Sequence, residues 1–291
     1  MFQSLVSLLL ASALSFSSGS GQKMDTGFDD SSLLTVNPIP HLTGDPLEKN
    51  ALYASSALVI DLESQSILFE KDSYTRLPIA SLTKLMTAYI ILEENDPSSI
   101  VTVSNRAADA EGSQMRLAAG EQITVKNLLY GLLIQSGNDA AIALAEFNAG
   151  SETAFIKKMN AEAKNLGLEN TYYANTTGLD STSAYSTTHD LLILSTQLLK
   201  NSSIREIAKN SSIEVTGTNG EVHKLINTNI LLGQLGVEGL KTGTTPLAGE
   251  CLLSLVKTDE GNEILIVILG SSDRFLDTKI LIDWVNTSYT W

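Results

Sequence analysis

Ser81 and Lys84 stand three positions apart in the run Ser-Leu-Thr-Lys, and that spacing suits covalent catalysis. A serine hydroxyl is a poor nucleophile at neutral pH and needs an adjacent base. On a helix, residues three apart share a face, so the Lys84 amine can reach the Ser81 hydroxyl. Pro78 lies just before the pair, consistent with a helix that starts near Ser81. The backbone N–H groups and dipole of that helix start favour a developing negative charge. Two other Ser-x-x-Lys runs exist, Ser20/Lys23 and Ser254/Lys257. The first lies in a polar leader and the second on a predicted strand, so neither brings its pair to one helical face.

Two further clusters could serve such a nucleophile. Ser136-Gly137-Asn138 lies between two helix candidates. A hydroxyl and an amide two residues apart on a tight loop can both point into one cleft, the first relaying a proton and the second holding an amide. Taken alone, loop or capping chemistry is the plainer explanation of the same residues. Lys241-Thr242-Gly243-Thr244-Thr245 closes a predicted strand. A lysine with threonine hydroxyls suits a carboxylate, a glycine lets a backbone approach the strand closely, and the next backbone N–H, that of Thr244, could complete an oxyanion hole. A polar strand end is the plainer alternative.

The elements that must position these groups are legible from periodicity. Ser55–Leu62 and Ser66–Lys71 alternate as strands around a turn at Glu63–Gln65. From Ser81 to about Asn95, Leu82, Leu85, Met86, Tyr89 and Ile90 repeat at helical spacing. Helices are expected at Val125–Gln135, Ala140–Phe147 and Glu152–Leu166, and another from Thr187, where Thr-Thr-His-Asp fits a capping box. Strand signals return at Ile213–Thr216 and Val222–Leu225 around Asn219-Gly220, at Val237–Thr242, and at Cys251–Lys257 and Glu263–Leu269 around a second turn. An amphipathic stretch, Thr278–Trp291, closes the chain. Strands at both ends around a helical middle predict an α+β domain, an antiparallel sheet flanked by helices with an inserted all-helical lobe. The cleft is expected between sheet edge and lobe.

Composition narrows the function. A formal net charge of −14 argues against nucleic acid, because phosphate binding needs clustered Lys and Arg. Cys251 is the sole cysteine, so no internal disulfide forms, and its apolar neighbours suggest a core residue. His41, His189 and His223 lie far apart without metal-ligand spacing, so neither a metal nor another cofactor is expected. The apolar run Leu5–Phe16 reads as a secretory signal, being shorter than the roughly 20 residues that span a bilayer. No Lys or Arg precedes it, and no lipid-attachment cysteine follows. The expected organisation is a signal peptide over 1–20, a linker over 21–50 and a catalytic domain over 51–291. The expected location is extracytoplasmic, with an uncleaved N-terminal tether as the alternative to a free protein.

In order, the clusters spell Ser-x-x-Lys, Ser-x-Asn and Lys-Thr-Gly, a set that marks β-lactamases and penicillin-binding proteins. The chain resembles the low-molecular-mass penicillin-binding proteins, the serine D-alanyl-D-alanine carboxypeptidases, from about Ala51 to Trp284. The likeness also rests on Pro-Ile-Ala-Ser-Leu-Thr-Lys-Leu-Met-Thr at 78–87 and Ser-Gly-Asn-Asp-Ala-Ala at 136–141. It continues through Asn227-Thr228-Asn229 and Lys-Thr-Gly-Thr-Thr…Ala-Gly-Glu-Cys at 241–251. It implies a β-lactamase/transpeptidase-like fold. Ser81 would be the nucleophile, Lys84 its base, Ser136 a proton shuttle and Asn138 a binder of the substrate amide. Lys241, Thr242 and Thr245 would recognise the terminal carboxylate, and the N–H groups of Ser81 and Thr244 would form the oxyanion hole. The implied partners are peptidoglycan stem peptides, with β-lactam antibiotics as covalent inhibitors.

The sequence departs from the family's pattern in places. Asn175-Thr176-Thr177-Gly178-Leu179 lacks the common Pro-His pair, and neither a C-terminal β domain nor an anchoring helix is expected after the catalytic domain. The latter resembles the shorter members, some of which are endopeptidases on cross-links. A β-lactamase reading lacks a Glu-x-x-Leu-Asn segment between Asn138 and Lys241. A non-catalytic wall-binding module is the remaining alternative.

Overall fold

The computed structural model describes residues 39–291. The signal reading over 1–20 and most of the linker lie outside the described residues. Five strands make the central sheet: β1 (Ser56–Asp61), β2 (Ile67–Lys71), β3 (Val237–Thr245), β4 (Gly249–Lys257) and β5 (Glu263–Ser271). Their order is β2-β1-β5-β4-β3 and every neighbouring pair is antiparallel. Both chain regions therefore feed one sheet, and the strand carrying Lys241 is an edge.

Side chains alternate across a strand, and β5 shows both faces buried. Ile264, Ile266 and Ile268 pack with Leu281, Ile282 and Val285 of the last helix, Arg274–Ser288. Leu265, Val267 and Leu269 face the other way, into the core shared with Leu82, Leu85, Met86, Leu191 and Leu194. Burying each such side chain contributes roughly 2 kcal/mol, which is why this strand reads as an unbroken apolar run.

The helical lobe surrounds Asn138–Ala149, whose first eight residues are all buried. Lys84–Glu94, Val125–Leu133 and Glu152–Asn165 pack around it. Alanine at 140, 141, 143 and 145 allows that close approach on every side. Gly150, in the left-handed region at φ +76, closes the helix.

Several elements differ locally from expectation. The helix predicted from Ser81 opens as a 3-10 turn, Ala80–Thr83, before the α-helix Lys84–Glu94. Thr187 caps its helix, its hydroxyl accepting the Asp190 N–H, but the Asp190 carboxylate turns to Asn170 N and Thr171 Oγ1 rather than completing a capping box. The hairpin Ser212–Thr216/Val222–Ile226 forms its own ribbon outside the central sheet, with Val215 and Leu225 in the lobe-side core. Of the residues read as linker, His41–Leu42 pair with Tyr289–Thr290. Among the described residues, no helix is long and apolar enough to cross a membrane, and no cluster of three or more His, Cys, Asp or Glu could hold a metal ion.

Candidate active site

The Ser81 turn and strand β3 meet where the sheet edge abuts the lobe, Gly243 lying against Ser81 N. Asp139, next to the Ser136–Asn138 corner, bears on the Lys84 amine. Among the described residues, no hydrogen bond links Ser136 or Asn138 to Ser81, Lys84 or Lys241. Ser81 sits half-buried in its 3-10 turn, and the Lys84 Nζ donates to Ser81 Oγ at 2.8 Å. The same amine donates to the Thr177 carbonyl, which also accepts from Ser81 Oγ at 3.4 Å. Ala80 holds φ +47, a left-handed conformation rare for a residue with a Cβ, immediately before the serine. Such strain persists only where surrounding structure enforces it. Two glycines do so. A Cβ on Gly178, at φ +82, would land on the Ala80 carbonyl, and one on Gly243 would stand 2.9 Å from Ser81 N. The loop at 175–179 and strand β3 thus clamp the serine turn from two sides.

Lys84 and Lys241 are both almost wholly buried. Burial, then the charge of Lys241, pushes the Lys84 pKa well below its ordinary value, with Asp139 opposing. Burial, then Arg274, pushes Lys241 down to about 7. Desolvation favours the neutral amine, so Lys84 can hold a lone pair toward Ser81 Oγ. Lys241 and Arg274 supply positive charge beside the Lys84 amine, inside a chain of net charge −14.

Ser136 and Asn138 come from the start of the central lobe helix. Ser136 is buried and adopts φ +60; Asn138 follows it as the first helical residue. Asp139 anchors this corner, its carboxylate accepting Met115 N at 3.0 Å and Leu117 N at 3.1 Å. The Asn138 Nδ2 donates to the Glu111 carbonyl, while its Oδ1 is buried with no protein partner. An unpaired buried acceptor is costly, by about 1–3 kcal/mol, and this one is free to receive an amide N–H.

On β3, the Lys241 Nζ donates to Thr242 O at 2.8 Å. Thr242 Oγ1 lies 2.6 Å from Thr228 Oγ1, and Thr245 Oγ1 accepts Ala248 N at 3.2 Å. Neither threonine bonds Ser81 or Lys84. Thr244 is exposed and its hydroxyl donates to Gly249 O at 3.3 Å. Because β3 is a sheet edge, an extended peptide can add to it as a strand beside Ser81.

Arg274 was invisible to motif reading. It opens the last helix, and its Nη1 donates to Gly243 O at 2.8 Å and to Thr244 Oγ1 at 3.1 Å. Its Nε is buried without a protein partner. A guanidinium bridging two residues of the edge strand, with a donor unspent, suits a carboxylate. The available signal was only an arginine at a capped helix start after a strand; Asp273 is the cap. Cys251 lies buried at the base of β4, its thiol pushed up to about 11 by burial, which leaves it unreactive.

Comparison with known proteins agrees with this geometry. The family model described as D-alanyl-D-alanine carboxypeptidase matches residues 44–273. The D-alanyl-D-alanine carboxypeptidase DacF of Bacillus subtilis is 38% identical, the match covering 81% of this chain and 63% of the relative. The chain thus spans less than two thirds of that relative. A D-alanyl-D-alanine carboxypeptidase of a Streptomyces species is 32% identical, over 82% of this chain and 88% of its own. A D-alanyl-D-alanine endopeptidase of Pseudomonas aeruginosa is also 32% identical, over 85% and 82%. The crystal structure of a Streptomyces DD-transpeptidase superposes with a TM-score of 0.76 at 30% identity, covering 83% of this chain and 98% of that one. The antiparallel sheet, the helical lobe and the matched span are those of one family, and the chain belongs to the D-alanyl-D-alanine carboxypeptidases.

Proposed function

We propose that this chain is an exported serine peptidase that removes the terminal D-alanine from peptidoglycan stem peptides through an acyl-enzyme on Ser81. The observation that carries the reading is the buried Lys84 amine 2.8 Å from the Ser81 hydroxyl. The stem peptide lies along β3, its amide N–H received by Asn138 Oδ1 and its carboxylate by Lys241, Thr242, Thr245 and Arg274. Lys84 takes the Ser81 proton as Oγ bonds the carbonyl carbon, and the oxyanion settles between the backbone N–H groups of Ser81 and Thr244. The C–N bond then breaks, the proton passes through Ser136 to the leaving amine, and D-alanine departs. Water, deprotonated by the same lysine, hydrolyses the acyl-serine.

Incubating the purified protein with a fluorescent penicillin and with a peptide ending in D-Ala-D-Ala tests this. Stoichiometric, long-lived labelling and D-alanine release are the expected results. Labelling with release only from cross-linked dimers would favour endopeptidase action, a second reading supported by the similarity to the Pseudomonas endopeptidase. Rapid turnover of a chromogenic cephalosporin would favour a β-lactamase, and absence of labelling would defeat the acyl-serine reading.

Arg274→Ala is expected to raise KM for the D-Ala-D-Ala peptide about tenfold, roughly 1.4 kcal/mol, with kcat changed much less. A kcat loss with KM unchanged would remove Arg274 from carboxylate binding.

A further inference from the structure

Lysine carries its charge on a flexible stem with three rotatable donors, so proximity alone does not aim a lone pair. At Lys84 the aim comes from the Thr177 carbonyl. One N–H committed to that carbonyl fixes the rotation of the amine about its last bond, leaving the direction of Ser81 Oγ for proton transfer. The carbonyl belongs to a segment, 175–178, without regular secondary structure, which must therefore be held by side chains.

Glu152 holds it. This residue opens the helix Glu152–Asn165, and its carboxylate is buried against a fully buried Thr176. Its Oε1 accepts Thr176 Oγ1 at 2.8 Å and Thr176 N at 3.3 Å. Its Oε2 accepts from the exposed Arg106 guanidinium, which also lies 4.0 Å from Glu146. On the far side, Asn175 Oδ1 accepts Gly178 N at 2.7 Å and both Thr177 N and Thr177 Oγ1 at 3.2 Å. Thr87, one turn beyond Lys84 on its helix, donates to Thr176 O at 3.4 Å. The two Thr176 bonds go to a charged oxygen, the stronger kind, while the Asn175 bonds are local to the loop. Glu152 is thus the charged tie between this loop and the lobe helices, beside the longer Thr87 bond.

We propose that Glu152 is a positioning residue for Lys84, acting through Thr176 to fix the Thr177 carbonyl against the amine; the proposal builds on the acyl-serine reading above. The charged groups facing Lys84 are Lys241 on β3 and Asp139 at the start of the central lobe helix, whereas Glu152 bonds Thr176 and Arg106. Glu152→Gln keeps an acceptor oxygen for both Thr176 donors. Glu152→Ala keeps none.

The test measures penicillin acylation rate, peptide KM and melting temperature for Glu152→Ala, Glu152→Gln and Thr176→Val. It adds a 15N titration of the Lys84 Nζ, assigned by its loss in Lys84→Met. Glu152→Ala is expected to slow acylation up to about 10²-fold with KM little changed, the scale of a misaligned reacting group. Glu152→Gln is expected to stay within about threefold of wild type, and Thr176→Val, which loses one of the two bonds, to fall between. The Lys84 titration is expected to move to lower pH in Glu152→Ala, by less in Thr176→Val and not in Glu152→Gln, because an acceptor that favours the ammonium form is displaced.

A folded Glu152→Ala with wild-type acylation and an unmoved titration would overturn the proposal, as would Glu152→Gln losing as much as Glu152→Ala. If Glu152→Ala fails to fold, Thr176→Val decides the matter by the same readouts. If wild type neither labels with penicillin nor releases D-alanine, the enzymatic reading fails by itself, and the Nζ titration still decides whether Glu152 positions the lysine.

Discussion

Ser81→Ala should abolish both penicillin labelling and D-alanine release, with a loss of about 10⁴-fold or more, as for other covalent nucleophiles. The expectation is sharp because the substitution deletes one atom and little else. Ser81 is half-buried in a turn that Ala80, Gly178 and Gly243 already constrain through backbone contacts, none of which uses the hydroxyl. Lys84 loses one acceptor but keeps the Thr177 carbonyl. The melting temperature should therefore stay within a few degrees of wild type, a change of under about 1 kcal/mol. Intact-mass spectrometry after penicillin treatment gives the decisive reading. A full adduct on Ser81→Ala would move the nucleophile elsewhere, and Ser136, the other buried serine of the cleft motifs, would be the first place to look.

Much of this site was legible because its chemistry sits at short, regular spacings. Ser81 and Lys84 lie one turn apart whether the turn is α or 3-10, so their meeting survived the difference in helix type. Lys241 was legible from the Lys-Thr-Gly triplet on a predicted strand, although β3 runs on past Gly243 to Thr245. The sheet's closure from both ends was legible for the same reason: the apolar runs at Ser56–Asp61 and Glu263–Ser271 are long, and each is buried on both faces. What stayed hidden depends on tertiary contact. Arg274 reaches β3 because the last helix begins beside Gly243, a fact with no local sequence trace. The Thr177 carbonyl carries no side-chain signature at all, since every residue has a carbonyl. Asp190 looked like half of a capping box, yet two donors on the 170–171 segment claim its carboxylate. The Ser212–Ile226 hairpin has the right turn and alternation, but nothing in that segment says which core receives Val215 and Leu225.

Lys84→Met should slow acylation by about 10³-fold, within the range of a lost general base, and should change the pH dependence as well as the rate. On the acyl-serine reading proposed above, the reactive state has Lys84 neutral and Lys241 charged. Activity on free enzyme should rise with pH as Lys84 loses its proton, then fall above about 7 as Lys241 loses the charge that attracts the carboxylate. Methionine keeps the length of the stem without a titrating group, so the rising limb should vanish and the falling limb remain. Stability gives an independent check through the sign of proton linkage. The folded-state pKa of Lys84 is depressed, so between that value and its ordinary value near 10.5 the unfolded chain binds more protons than the folded one. Wild-type stability therefore rises with pH through this window, and the burden of burying the amine is greatest on the acid side. Lys84→Met escapes that burden, so its melting temperature relative to wild type should be higher at pH 6 than at pH 9. A rising limb that persists in Lys84→Met would assign the base to Lys241 or Ser136, and a stability difference independent of pH would show that Lys84 keeps its proton on folding.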